Sequence, residues 1–336
     1  MTNLVQRTLS YGGRISSLVI PAELTGKTGL MNPSIFTDSD GDILVNLRHV
    51  NYTLYHSENN QRFPSRWGPL AYLHPENYQK LATTNYICKL NSDLEIEKFC
   101  VVDTSELDVE PLWDFVGLED ARLTQWDGDY YLIGVRRDTT TNGQGRMELS
   151  KIELDKENWT AKEVFRLRIP APFNGDSYCE KNWVPVLDKP YHFIKWTSPT
   201  EMVRTYPEEP ARCEQVFVRE GVSVGVDQRG SSHVVRWGNF YVSVTHEVYL
   251  FNNYLGQKDG VYRHRLAVWD DAWNLVGLSP EPLSFLEGRV EFCAGASVVN
   301  NKLLVSFGFQ DNAAFVLEIP KELVDDLIME ALSNVE

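Results

Sequence analysis

The chain has 336 residues, of which 43% are hydrophobic, and a formal net charge of −15. This length fits either two ordinary domains or one large all-β or barrel domain, and we predict a single domain over residues 1–336. The negative charge repels nucleic acids and anionic membranes, and no apolar run approaches the roughly 18 residues of a spanning helix, so neither is an expected partner.

Localisation and metal content follow from what the sequence lacks. The N-terminus has no basic, apolar and small-residue pattern of a secretory signal, which predicts a cytoplasmic protein. The five cysteines are scattered without a Cys-x-x-Cys pair, and the seven histidines show no metal-binding spacing. These patterns indicate neither disulfides nor a zinc site, and we predict no metal and no resident cofactor.

The first 24 residues are predicted to be strands. Thr8–Tyr11 and Ile15–Ile20 are rich in β-formers. We expect these strands to help close the architecture that the rest of the chain builds.

One short pattern then recurs five times. Each copy has a polar or small residue, an apolar pair, a turn, and an apolar strand that ends in polar residues. The copies are Asn32–Arg48, Glu119–Arg137, Lys181–Trp196, Ser232–His246 and Ala296–Phe309. Their turns contain pairs such as Asp-Gly and Asn-Asn, which tolerate positive φ and indicate hairpins. With roughly 60 to 67 residues for each hairpin and its flanks, the repeat predicts an all-β fold, a five-bladed β-propeller.

Two further segments complete the predicted elements. The proline-rich stretch Ser198–Pro210 is expected to be an exposed loop. Pro320 opens a short C-terminal helix over about 320–333, with apolar residues on one face. We expect this helix to dock on the propeller or on a second subunit, which would make the protein a homo-oligomer.

Polar residues at equivalent ends of the hairpins are expected to meet in one pocket, because the inner strands of a propeller face a central channel. They are Asn32, Arg48, Asp120, Arg122, Arg136, Arg137, Lys181, Asn182, His246, Gln310 and Asp311. In so acidic a protein, a carboxylate among arginine, lysine and histidine indicates an anion site with a proton donor.

Asp120 is the predicted catalytic residue. Strand alternation places Glu119 and Asp120 on opposite faces, so only one should face the channel. Asp120 would act as general acid on a glycosidic oxygen. The alternative is a structural ion pair between Asp120 and Arg122, which share a face.

The surrounding cations favour phosphate as the nucleophile. Inverting hydrolysis needs a second carboxylate ~6.5–9.5 Å away to activate water, whereas phosphorolysis needs cations that hold inorganic phosphate. The candidate phosphate-binding residues are Arg136, Arg137, Lys181 and His246.

An ordered set of motifs resembles glycoside hydrolase family 130, the β-mannoside phosphorylases, and the related mannosyltransferase/phosphorylases. The motifs are Asn32-Pro33, Leu47-Arg48, Gly117-Leu118-Glu119-Asp120-Ala121-Arg122, Thr245-His246-Glu247, Tyr262-Arg263, Phe292-Cys293-Ala294-Gly295 and Phe307-Gly308-Phe309-Gln310-Asp311. The resemblance implies a five-bladed propeller that acts with inversion on β-linked mannosides, with phosphate as co-substrate. Ala121 and Glu247 depart from the family's Pro and Gly.

The resemblance also implies roles. Asp120 is the proton donor, directly or through a hydroxyl of the bound sugar, while Arg48 and Asp311 contact the glycosyl residue. Arg137, Lys181 and His246 hold phosphate. The remaining expected substrate-binding residues are Asn32, Arg122, Asn182 and Arg263.

The leading hypothesis is therefore an inverting phosphorylase of β-mannosides. An inverting mannosyltransferase could use the same cations for a diphosphate leaving group. An inverting hydrolase would take its base from Glu180, Glu247, Glu291 or Asp311. The alternative of another class is an inactive glycan-binding propeller.

Overall fold

Strands dominate the computed structural model, which describes residues 2–26, 28–54, 72–73, 80–172, 177–252 and 258–333. The strands are β1 (Thr2–Asn3), β2 (Arg14–Ser17), β3 (Leu30–Thr37), β4 (Ile43–Val50), β5 (Thr53–Leu54), β6 (Tyr72–Leu73), β7 (Leu81–Leu90), β8 (Ile96–Asp103), β9 (Phe115–Val116), β10 (Glu119–Trp126), β11 (Asp129–Arg136), β12 (Arg146–Asp155), β13 (Thr160–Arg168), β14 (Val184–Pro185), β15 (His192–Trp196), β16 (Thr200–Thr205), β17 (Cys213–Arg219), β18 (Arg229–Gly230), β19 (Val235–Trp237), β20 (Phe240–Asn252), β21 (Lys258–Trp269), β22 (Leu275–Leu278), β23 (Leu283–Ser284), β24 (Glu291–Val299), β25 (Lys302–Phe309) and β26 (Ala313–Ile319). The helices are α1 (Leu4–Ser10), α2 (Ala22–Thr25) and α3 (Lys321–Leu332). The mostly β class and the C-terminal helix are confirmed.

Consecutive strands pair antiparallel into units that follow one another along the chain. Unit 1 contains β3, β4, β7 and β8, unit 2 contains β10 to β13, and unit 3 contains β14 to β17. Unit 4 is built on β20 and β21, and unit 5 combines β24, β25 and β26 with β2. The outer strands of units 1 and 2 also pair in parallel, with Val102 opposite Ala161.

Apolar cores lie between neighbouring units. Leu44 and Leu132 pack together between units 1 and 2, whereas Ile35 and Val316 pack between units 1 and 5. Other clusters lie between units 2 and 3, between units 3 and 4, and between units 4 and 5. Each large side chain buried there contributes about 1.5–3 kcal/mol. This packing supports a ring of blades, while the count of five stays a prediction.

The N-terminal prediction is half correct. Strand β2 joins unit 5, with Arg14 opposite Glu318, as expected for a segment that closes the fold. The strand predicted at Thr8–Tyr11 is wrong, because these residues belong to α1 and its end. Asn3 caps that helix by accepting a hydrogen bond from Gln6 N at 2.9 Å, and one helical face is buried.

The loop predicted over Ser198–Pro210 is also wrong in its centre. Thr200–Thr205 forms β16 between β15 and β17. Met202 and Val203 are buried there. The prolines lie outside these strand residues, where they remove no hydrogen bond from the ladder.

Helix α3 docks on its own chain. Its buried face, which includes Leu323, Val324 and Leu327, packs in the core between units 4 and 5. The sequence predicts that this helix docks on the propeller or on a second subunit. The structure shows it docked on the strands of its own chain. None of the helices in the described ranges is long and apolar enough to cross a membrane.

Candidate active site

The first strands of units 1 and 2 are irregular at the residues that form the site. Asn32 on β3 has a φ of 44° and Asp120 on β10 a φ of 49°, and the pairing shifts register at both. Asn182, just before β14, has a φ of 61°. Non-glycine residues in this region cost on the order of 1–3 kcal/mol and cluster at functional sites. The bulges thus mark equivalent positions in successive units.

The Asp120 carboxylate is held from unit 1. Its Oδ1 accepts hydrogen bonds from Asn32 Nδ2 at 2.7 Å and from Arg48 Nη1 at 2.6 Å. Its side chain is 16% exposed, whereas that of Arg48 is 6% exposed. Thr83 Oγ1 steadies Arg48 by accepting from its Nε and Nη2 at 3.2 and 3.1 Å.

Arg122 does not form the predicted structural pair with the Asp120 carboxylate. Its Nη1 donates to the Asp120 main-chain oxygen at 2.7 Å, and its Nε donates to Ser231 O at 3.0 Å. The guanidinium lies 5.5 Å from the centre of the Phe292 ring. Arg122 therefore joins units 2 and 4 and acts on the Asp120 carboxylate through its charge.

Glu119 lies close to Arg137 and near Arg48, although strand alternation predicts that it points away from the side of Asp120. Its Oε1 is 3.9 Å from Arg137 Nε. Burial opposes the charge of Arg48, but Asp120 and, more weakly, Glu119 are among the groups that raise the pKa of Arg48 above its ordinary value. Because the bulge at Asp120 interrupts the two-residue period of the strand, the argument that set Glu119 aside does not hold.

The two carboxyl groups of the cluster have opposite pKa shifts. Burial alone would raise the pKa of Asp120, but the charges of Arg48 and Arg122 outweigh it and lower this pKa to about 2. Burial, together with the nearby negative charge of Asp120, raises the pKa of Asp311 to about 6 although Arg48 opposes it. Groups whose pKa values are driven apart in this way are typical of acid and base pairs.

Two cations, Lys181 of unit 3 and Arg229 of unit 4, lie near His246. Lys181 is exposed and Arg229 is half-buried. Among the described residues, neither has a hydrogen-bond or ion-pair partner. The charge of Lys181 lowers the pKa of both Asp120 and His246, and the charge of Arg229 lowers the pKa of His246.

Arg229 was missed from the sequence. The fourth copy of the repeat begins at Ser232, three residues after Arg229, so the repeat pattern does not include this arginine. The short strand Arg229–Gly230, which pairs with β20, belongs to the same unit. The sequence feature that could have identified it is a basic residue directly before Gly230.

His246 is buried and neutral. Burial, followed by His264 and then by the charges of Lys181 and Arg229, lowers its pKa well below the ordinary value. Its Nδ1 lies 3.1 Å from Gly230 O, which can only accept, so the ring proton sits on Nδ1 and Nε2 remains an acceptor. The ring stacks on Tyr262 at 5.9 Å between centroids.

Several polar atoms in this cluster are buried and lack a hydrogen-bond partner among the described residues. They are Asn32 Oδ1, Glu119 Oε1, Arg122 Nη2 and Asn182 Oδ1. Buried polar groups in proteins are nearly always paired, so each unpaired one calls for an explanation. Three acceptors and a donor match a ligand rich in hydroxyl groups, which both donate and accept.

Arg136 and Arg263 are not brought into the cluster. Arg136 Nε donates to Glu148 Oε1 at 2.5 Å, and this arginine is almost fully buried. Arg263 lies opposite Glu247 in the β20–β21 ladder, on the other face from His246. Its Nη1 donates to the main-chain oxygens of Tyr262 and Gly288 at 2.7 and 2.9 Å.

Arg137 lies at the edge of the cluster. Besides its approach to Glu119, its Nη1 donates to Gly143 O at 3.2 Å and its Nη2 contacts Cys179 Sγ at 3.0 Å. It is therefore held by the loop after β11 while remaining near the site.

Of the four candidate bases for hydrolysis, only Asp311 lacks a hydrogen-bond partner among the described side chains and backbone groups. Glu180 accepts from Trp183 Nε1 at 3.1 Å. Glu247 is buried and accepts a hydrogen bond from Arg265 Nε at 2.9 Å. Glu291 accepts three backbone N–H groups at 2.7–2.8 Å.

Comparison with known proteins shows which solved structures are similar to this chain. No protein-family model and no curated protein matches the sequence. Among solved structures, the chain is similar to a β-1,2-mannobiose phosphorylase from Listeria innocua, solved with β-1,2-mannobiose, at a TM-score of 0.53 and 12% identity over 90% of this chain and 92% of that one.

Two Leishmania mexicana proteins are similar as well. A mannose phosphorylase solved with phosphate has a TM-score of 0.50 and 12% identity over 96% of this chain and 93% of that one. A GDP-Man-dependent mannosyltransferase has a TM-score of 0.52 and 10% identity over 94% of each chain. At these identities the comparisons establish a shared fold, in agreement with the resemblance drawn from the motifs.

Proposed function

We propose that the chain is an inverting glycoside phosphorylase acting on β-mannosides, built on a five-bladed propeller. The observation that carries this proposal is the half-buried Asp120 carboxylate, held by Arg48 and Asn32, in a cluster whose cations Lys181 and Arg229 have no partner among the described residues. The phosphorylases and the mannosyltransferase that share the fold support the same substrate class.

The sugar and the phosphate would occupy different sides of the cluster. Asn32, Arg48 and Asp311 lie where they can bind the hydroxyl groups of the glycosyl residue. Lys181 and Arg229 supply positive charge for phosphate, and His246 Nε2 can accept a hydrogen bond from a protonated phosphate oxygen.

The reaction would be a single displacement. A phosphate oxygen forms a bond to the anomeric carbon as the bond from that carbon to the glycosidic oxygen breaks. Asp120 provides the proton to the departing oxygen, directly or through a sugar hydroxyl. The products are a sugar 1-phosphate and the shortened acceptor.

The protonation of Asp120 depends on the ligands. In the ligand-free protein its pKa of about 2 makes it a carboxylate at neutral pH. A bound phosphate dianion adds like charge and exclusion of water adds desolvation, and both raise the pKa toward that of a donor. Asp120 would therefore become a competent acid only in the complex.

The test is incubation with β-1,2-mannobiose and other β-mannosides, with and without inorganic phosphate. We expect mannose 1-phosphate only when phosphate is present. Free mannose released at the same rate without phosphate would reject phosphorolysis and favour Asp311 as a hydrolytic base. Transfer from GDP-mannose to an acceptor, with no phosphorolysis, would establish the transferase instead.

A further inference from the structure

A cavity of about 290 Å³ lies between units 1 and 2. Neither Asp120 nor Arg48 lines it. Strands β7 and β8 provide one wall, and β11 and β12 provide the other, while Gly117 and Leu118 line it just before Glu119. Its volume is close to the lower end of the range of roughly 300–1,000 Å³ for small-molecule pockets.

The cavity wall combines hydroxyl groups with apolar surface. Its uncharged polar side chains are Thr83, Thr84, Asn85, Thr104, Thr139 and Ser150. Val102, Leu132 and Ile152 line it as well. A sugar or polyol, which has hydroxyl groups around an apolar carbon frame, matches this mixture.

The charged groups of the wall are already neutralised. Arg136 pairs with Glu148 at 2.5 Å, and its Nη1 lies 3.5 Å from Asp138. Arg166 donates to Asp108 Oδ1 at 3.0 Å. Because no cation of the wall is left without a carboxylate, the cavity suits a neutral ligand rather than an anion.

The wall retains hydrogen-bonding capacity and touches the active site. Thr139 Oγ1 is buried with no partner among the described residues. Thr83 Oγ1 is the acceptor that steadies Arg48, which in turn donates to Asp120. A ligand that hydrogen-bonds to Thr83 would compete for that oxygen and shift Arg48.

We propose that this cavity is a second ligand site, separate from the channel, for a neutral polyol the size of a monosaccharide. The occupant hydrogen-bonds to the threonine hydroxyls, including Thr139, and lays its apolar frame on Val102 and Leu132. Through Thr83 its binding alters how Arg48 holds Asp120.

The test measures binding of mannose, glucose and mannitol to the full chain by isothermal titration calorimetry, without turnover. Thr139→Val removes a hydroxyl that has no partner in the described part of the chain, and we expect about a fivefold loss of affinity. Thr124→Val is the matched control, because Thr124 Oγ1 is also buried without a partner among the residues that the structure describes, but Thr124 does not line the cavity. It should leave the affinity unchanged.

A second variant and a soaking experiment complete the test. Val102→Phe places a larger side chain in the cavity and should weaken this binding, while crystals soaked in the same sugar should show it between units 1 and 2. Absence of saturable binding by all three probes, equal affinities in wild type and Thr139→Val, or density in the channel alone would overturn the proposal. Because binding is measured without turnover, these outcomes are independent of whether phosphorolysis occurs.

Discussion

Two groups of charged side chains differ in whether their polar atoms are paired within the protein. The first group belongs to unit 2 and is called the inter-unit cluster here, because Arg136 and Arg166 line the cavity between units 1 and 2. It consists of Arg136, Glu148, Glu163 and Arg166, and every guanidinium pairs with a carboxylate, at 2.5 Å between Arg136 and Glu148 and between Arg166 and Glu163. The channel cluster is the set around Asp120. It leaves Arg122 Nη2 and Asn32 Oδ1 without partners, and the cations Lys181 and Arg229 unpaired, among the described residues.

Burial and charge therefore do not by themselves identify a functional site. A buried polar atom without a hydrogen-bond partner costs about 1–3 kcal/mol, so a fold keeps one only where something offsets the cost. The inter-unit cluster satisfies itself and has a structural role. The channel cluster is complete only with a ligand that supplies the missing hydrogen bonds and negative charge.

The largest effect is expected for Asp120→Asn, which should lower kcat for phosphorolysis by about 10³-fold, because general acid catalysis contributes ~10²–10⁴-fold. The measurement is the initial rate of sugar 1-phosphate release. Asp129→Asn is the control in the same unit, since Asp129 forms a half-exposed pair with Lys151. Equal rates for Asp120→Asn and wild type would refute the role of Asp120.

In the inter-unit cluster, Glu148→Ala should destabilise the fold rather than slow the chemistry. It leaves Arg136 buried without its nearest carboxylate, which costs about 3 kcal/mol of the free energy of unfolding. Urea denaturation measures it. Glu106→Ala breaks an exposed pair with Lys162 and should cost under about 1 kcal/mol. Similar losses for both variants would show that the inter-unit pair is not special.

The sequence predicts the parts of the two clusters that lie on regular strands, and it fails where a strand is irregular. The hairpin turns and apolar periods predict the strands, and they bring Asn32, Arg48 and Asp120 together correctly. Arg136 and Arg137 could not be told apart from their positions, because their partners Glu148 and Glu119 come from different strands.

The remaining failures have local physical causes. The bulge at Asp120 breaks alternation, so the position of Glu119 could not be derived from a two-residue period. The cap at Asn3 turns predicted strand residues into a helix. These features depend on single residues, whereas the fold depends on patterns averaged over many.

Arg229→Ala tests whether the unpaired cations of the channel cluster hold phosphate. Loss of one charge-assisted contact should raise KM for phosphate about tenfold while changing KM for the mannoside little. Arg236→Ala is the control, because Arg236 lies in the same unit and pairs with Asp271 at the surface. An unchanged KM for phosphate would remove Arg229 from the anion site.

The smallest effect separates Asp120 from Asp311 by the pH dependence of stability. The pKa of Asp311, raised to about 6, means that its stabilising contribution is present below about pH 4 and is lost as pH rises through 6. Asp311→Asn should therefore be about 1 kcal/mol more stable than wild type at pH 7.5 and equal to it near pH 3.5. Urea denaturation across this pH range measures the difference.

Asp120→Asn should show the opposite sign in the same series. Since its pKa is lowered to about 2, the Asp120 carboxylate stabilises the fold above about pH 4, and this contribution is lost as pH falls toward 2. The variant should thus be less stable than wild type at pH 7.5, with the gap narrowing in acid. If both variants shifted stability in the same direction at pH 7.5, the pKa values of the two carboxyl groups would not be driven in opposite directions, and the channel cluster would resemble the inter-unit cluster.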